Sequence, residues 1–170
     1  MVGAFVPFIK RLKGRVAALR VIDKHREALK PEEQIFWVPP QGAQEVLRNA
    51  NVVIFSGSAL VEGGIEEMLR ASKSARVRVM AGPTTPLWPQ PFFERGIGVL
   101  GGIRSLSGRD LLTIVGQGGS GYLFERAAQK TCVVGIEPFT NQEAENGAVL
   151  PVAGGRADRV KRESGPCLGL

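Results

Sequence analysis

Apolar residues along the chain collect in short runs with polar residues at their ends, and these runs alternate with segments whose apolar positions recur at helical spacing. MVGAF (1–5), RVAALRVI (15–22), NVVIF (51–55), RVRVM (76–80) and IGVL (97–100) have the composition of buried strands. Between them, Pro7 can open a helix over 7–13, and 42–49 places Ala43, Val46 and Leu47 on one helical face. Residues 65–73 (IEEMLRASK) carry acids first and a base last, which suits the helix macrodipole. Ser107 and Asp110 form a capping-box-like pair, with Asp where Glu or Gln is commoner, ahead of Leu111, Leu112, Ile114 and Val115 in a helix over 107–115. A last helix and strand are expected at 121–129 and 130–135.

The segment 24–41 mixes a short helical signal after Pro31 with an extended IFWV and a double proline, and reads as a long connection. Beyond about 138 periodicity stops and Gly, Pro and mixed charge take over. The pattern as a whole predicts an α/β fold over 1–138. Its form is three-layered, with a mainly parallel sheet of about five strands and helices on both faces. A flexible tail over 139–170 is expected to follow.

With 170 residues, 44% hydrophobic and 22% charged, the composition suits one domain with a real core. No apolar run approaches 18 residues, and the basic residues of MVGAFVPFIKRLKGR follow the apolar ones, the reverse of a secretory signal. A cytoplasmic protein without a membrane span is expected. The formal net charge is +6, and eight bases between Lys10 and Lys30 face only Asp23 and Glu27. That excess favours anionic partners, but no aromatics alternate with the bases, which points to a solvated helix face rather than a nucleic-acid interface.

In an open parallel sheet, ligands bind beyond the carboxyl ends of the strands, where the strand order reverses. Three loops leave such ends with unusual composition: 3–7 (GAFVP), 56–58 (SGS) and 82–86 (GPTTP). Glycines turn the backbone sharply and expose its N–H groups, while Ser56, Ser58, Thr84 and Thr85 add hydroxyls, a set suited to a small polar or anionic ligand. Glu62, Glu66 and Glu67 bring the opposite charge to the same region, so Glu62 is a candidate ligand for a divalent metal or metal complex. A glycine turn with Ser or Thr as cap would explain the same residues with no ligand at all.

Neither G-x-G-x-x-G nor G-x-x-x-x-G-K-[ST] occurs, so the dinucleotide and P-loop readings lack their phosphate cradle. Asp23 stands where a ribose-binding acid would, but without that loop it reads as a strand-end cap. His25, in DKHRE, reads as a surface residue, and Cys132, in TCVV, as a small buried hydrophobe. No residue identifies a reaction.

VGAFVPFIKRLK, NVVIFSGSALVEGGIEEMLRASKSAR, VMAGPTTPLWPQPFFERGIGVLGGI and the SGRDLLTIVGQGGSG stretch, in this order, resemble the Rossmann-like C-terminal domain of the putative heavy-metal-chelation family. The likeness covers residues 1 to about 135. It implies a two-part protein, an enolase-N-terminal-like region followed by this domain, with a ligand cleft between them and roles in metal handling or in cofactor or corrinoid metabolism. By position, the family's cleft-facing loops fall on Phe5 and Pro7, on Ser56, Gly57 and Ser58, and on Gly82, Pro83, Thr84 and Thr85. The chain starts inside the first strand, so half of the cleft is expected to be absent or to be supplied by a homo-oligomer or a separate chain. Soft metals prefer thiolate and imidazole, and this chain has two distant cysteines and one histidine, so a metal would arrive already complexed or use oxygen ligands.

Three readings follow. The first is a binding module for a small ligand or metal complex at the strand-end rim. The second is an enzyme transferring a group to or from a nucleotide or corrinoid-type cofactor, with Asp23 and Glu62 as contacts. The third is a partner-binding half-protein docking through Trp37, Trp88, Phe92 and Phe93.

Overall fold

A computed structural model describes residues 1–119 and 121–135. The sheet grows outward from its first residues. Val2 pairs in parallel with Ile22 on one side and with Phe55 on the other. The Val2 N–H donates to the Ile54 carbonyl at 2.8 Å, and the Val2 carbonyl accepts from the Ser56 N–H at 2.9 Å. Strand β1 (Val21–Ile22) pairs in parallel with β2 (Trp37–Val38). On the other side β3 (Val52–Ser56), β4 (Val77–Ala81) and β5 (Val99–Ser105) are parallel, and β6 (Ala128–Val134) closes the edge antiparallel to β5.

The spatial order is therefore β2, β1, Val2, β3, β4, β5, β6. The chain builds two strands to one side of Val2 and then crosses back to lay β3 on the other. That reversal is the switch point of a doubly wound sheet, and it lies between the Val2 segment and β3.

The period-2 alternation of β3 serves two cores. Val53 and Phe55 pack with Met80, Leu100, Leu47 of helix α2 (Ala43–Arg48) and Leu69 of a helix over Ile65–Ala71. Ile54 faces the other way, against a cluster of Ile9, Val21 and Leu29, with Ile9 supplied by helix α1 (Val6–Leu12). Helices thus cover both faces, as the alternation of runs predicts. The helix Ile65–Ala71 is α4, because a five-residue helix, α3 (Ser58–Glu62), precedes it. Helices α5 (Gln90–Phe93) and α6 (Gly108–Gly116) complete the set, and the Ser107 hydroxyl caps α6 by accepting from the Asp110 N–H at 3.3 Å.

Several expected elements change. The strand over 1–5 contributes only the Val2 bridge, and that over 15–22 only Val21–Ile22, because 15–18 lie exposed with no neighbour to bury against. The supposed connection 24–41 contains 3₁₀ turns at Arg26–Ala28 and Pro31–Phe36 and the strand β2, which Pro39 and Pro40 end by lacking N–H donors. Strand β5 runs on to Ser105 through two glycines whose low strand propensity hid it; a Cβ at Gly102 would come 2.9 Å from the Thr85 carbonyl oxygen. The helix expected at 121–129 is only a 3₁₀ turn, Gly121–Leu123, because ladder bonds to β5 claim the chain from Ala128. The tail 139–170 lies outside the described residues. No helix among the described residues is long and apolar enough to cross a membrane.

Candidate functional site

The three loops singled out above come together at the carboxyl ends of Val2, β3 and β4. Gly3 has φ +86°, and a Cβ there would lie 2.8 Å from the Ser56 Cβ. Gly57 donates its N–H to the Ala81 carbonyl at 2.9 Å. Its φ of −58° suits any residue, so space and not conformation demands glycine: a Cβ would stand 2.7 Å from Thr84 Oγ1, Thr85 Oγ1 and the Thr85 nitrogen. Gly82, with φ +136°, donates its N–H to the Gly101 carbonyl at 2.9 Å and accepts from the Thr85 N–H at 3.0 Å. Loop 3–7 thus touches loop 56–58, which touches loop 82–85.

The hydroxyls of this rim are not equivalent. Ser56 Oγ and Ser58 Oγ share a hydrogen bond of 2.9 Å and are half-buried. Thr84 is exposed, whereas Thr85 is 5% exposed and its Oγ1 is buried with no hydrogen-bond partner. Phe5 precedes α1, and its ring packs at 5.0 Å from Phe8; Phe5 and Pro7 are both half-buried and wall the first loop. Pro83 is exposed and lies beside Gly121, where a Cβ would be 3.2 Å from its ring.

The acids around the rim are engaged. Asp23 accepts from the Ala4 N–H at 2.8 Å and from the His25 N–H at 2.9 Å, so both its oxygens tie β1 to the first loop, as a strand-end cap does. Glu62 pairs with Lys24 at 2.8 Å, Glu66 with Arg95 at 2.6 Å, and Glu67 accepts from Gln44 Nε2 at 2.6 Å. The hydrogen bond and charge of Glu66 hold the Arg95 guanidinium above its ordinary pKa. His25 is exposed beside Glu27, at 3.3 Å, and Cys132 is half-buried rather than fully so.

As a metal centre the donor set is poor. Among the described residues no three His, Cys, Asp or Glu side chains lie close enough to hold one ion. Glu62 would have to give up Lys24 and find its other ligands among hydroxyls. The described residues do not fit direct ligation of a soft metal ion.

The sequence reading missed a shallow apolar cleft of about 210 Å³ between α3, α4 and α5, floored by Met80 and lined by Leu60, Ile65, Leu69 and Phe92, with Glu66 and Arg95 at its edge. None of the rim residues lines it. Ile65 and Leu69, one helical turn apart, were its signal, but that spacing marks any core-facing helix. Of the aromatic set, Trp88 is 72% exposed, while Trp37, Phe92 and Phe93 are half-buried, Trp37 donating its Nε1–H to the Asp23 carbonyl at 2.9 Å.

Residues 1–134 match the family model described as putative heavy-metal chelation. A protein of unknown function from Pyrococcus horikoshii, of the same domain family, is similar in structure over 78% of this chain and 53% of its own, with 21% identity and a TM-score of 0.67. Another, from Desulfitobacterium hafniense, is similar over 78% of this chain and 50% of its own, with 22% identity and a TM-score of 0.66. The chain therefore spans about half the length of these solved relatives. No curated protein matches it significantly. Family model and fold agree, and the chain belongs to the putative heavy-metal-chelation family.

Proposed function

We propose that the domain is a binding module for a small polar or anionic molecule, free or as the ligand shell of a metal, held at the rim formed by 3–7, 56–58 and 82–85. One observation carries this reading: at the switch point of the sheet, three loops close to within contact, and Gly57 is stripped of its side chain where two threonine oxygens and a backbone nitrogen converge. A turn that only redirected the chain from β3 to α3 would have no need of such closeness, because φ at Gly57 is ordinary. Ser58 and Thr84 are the side chains placed to meet a ligand; Ser56 orients Ser58, and Thr85 supports the loop from beneath. A metal would enter only within an organic complex, since bare ions find no three-ligand cluster among the described residues.

The test is a thermal-shift series with nickel and cobalt ions alone, citrate alone, and the metal citrates. A ligand that binds only the folded state raises the melting temperature in proportion to RT ln(1 + [L]/Kd). Citrate or a metal citrate should stabilise the wild-type chain, and Ser58→Ala/Thr84→Ala should lose the shift while keeping its unliganded melting temperature. A shift from the bare ions alone, or one that survives the double substitution, contradicts the assignment.

A further inference from the structure

An ion pair, Lys24–Glu62, spans the switch point of the sheet. Lys24 follows Asp23 at the end of β1, and Asp23 is fixed to Ala4 and His25 by two backbone N–H bonds, so Lys24 leaves the chain beside the first rim loop. Glu62 is the last residue of α3, on the far side of the Val2 segment. Their 2.8 Å contact therefore crosses the strand that lies between β1 and β3. Both side chains stay accessible, at 61% and 49%, and an ion pair this wet exchanges readily with other partners.

The anchorage of Glu62 is equally light. Helix α3 has five residues, buries only Ala59 and lacks a side-chain cap. Gly63 and Gly64 follow it, both with positive φ (+80° and +78°). A Cβ at Gly63 would meet nothing within 4 Å, and one at Gly64 only the Met68 Cε at 3.9 Å. These glycines serve backbone conformation, not packing, and form a hinge between α3 and α4, which is held by Leu69 in the core.

We propose that the Lys24–Glu62 pair is an exchangeable latch over the rim, in which the Glu62 carboxylate stands in for the oxyanion of a ligand that Lys24 receives. This rests on the rim reading and deepens it: the ligand carries a phosphate or carboxylate, and Lys24 is the residue that selects for it. Glu62 then competes from within the chain, which keeps the basic group neutralised until an oxyanion displaces it.

The experiment is an NMR titration of the full chain, following the amides of Lys24, Gly57 and Ser58, with inorganic phosphate in one arm and succinate in the other. Glu62→Gln removes the competitor and should tighten binding of the preferred oxyanion by about three- to fivefold, the factor expected for an exposed pair. Lys24→Gln should weaken binding by at least that factor, and Lys24→Gln/Glu62→Gln should show no gain over Lys24→Gln. Glu66→Gln makes the same charge change at the edge of the apolar cleft and should leave affinity unchanged. Equal tightening by Glu66→Gln, indifference to Lys24, or binding of neither phosphate nor succinate by any variant overturns the latch. Rim binding of citrate that ignores Lys24 and Glu62 would overturn the latch while leaving the rim assignment standing.

Discussion

The strand-end rim and helix α6 show opposite relations between pattern and packing. At the rim, the sequence signal is a few glycines and hydroxyls of the kind any turn can have, yet the chain there is so close-set that one added methyl at Gly57 would meet three atoms at 2.7 Å. In α6 the signal is a clean capped amphipathic helix, yet the helix buries no residue; Leu112 is 74% and Val115 53% exposed, and Leu106, just before its cap, is exposed too. Weak local signals can mark a crowded site, and strong ones can mark a surface. What decides is the element that stands across from them, and the sequence of one segment does not state that.

Alanine in place of glycine gives the sharpest way to break this comparison. Gly57→Ala should cost about 3 kcal/mol, since it forces the β3 and β4 loops apart, whereas Gly108→Ala, in the first turn of α6 with nothing within 4 Å, should gain about 0.5 kcal/mol. Equal effects in chemical denaturation would mean that the rim is as loosely packed as α6.

A pH test probes the sheet centre on which the rim is built. The Met1 amine donates to the Arg20 carbonyl at 2.7 Å, and burial lowers its pKa from 8.0 to about 6. The unfolded chain thus holds the proton more tightly. In a chain that starts at Met1, stability should be greatest above pH 8 and fall by about 2 kcal/mol as pH drops to 6 and below. A denaturation midpoint that does not move between pH 6 and 8 would show the amine to be solvated.

The smallest effect separates the two rim threonines. Thr85→Val removes a buried hydroxyl that lacks a partner and should stabilise the domain by about 1 kcal/mol, while Thr84→Val, at an exposed position, should change stability by less than about 0.5 kcal/mol. A loss of stability in Thr85→Val would mean that its hydroxyl does make a bond.

Much of the fold was legible because its signals are local. β3 is rich in Val and Ile and β4 in Val, α4 is charged to match its dipole, and Ser107 caps α6 within its own turn. What escaped depends on partners far along the chain. β2 is two residues between 3₁₀ turn and prolines, and only pairing with β1 makes it a strand. β5 passes through two glycines, and Thr85 and Leu87 leave no room for a side chain at the second, Gly102. The rim loops could be named from composition and from the rule for parallel sheets, and Asp23 could be read as a cap. That Gly57 packs against both threonines, that Thr85 is buried, and that Lys24 meets Glu62 across the Val2 strand are tertiary facts with no local trace.

The most direct test of the rim as the ligand site is an amide chemical-shift map of the full chain titrated with citrate and with a metal citrate. The account predicts that the largest shifts fall on 3–5, 56–58 and 82–85, with Leu111–Val115 of α6 and the cleft around Leu60 and Phe92 unmoved. Shifts centred on α6 or on that cleft, with the three loops silent, would contradict it.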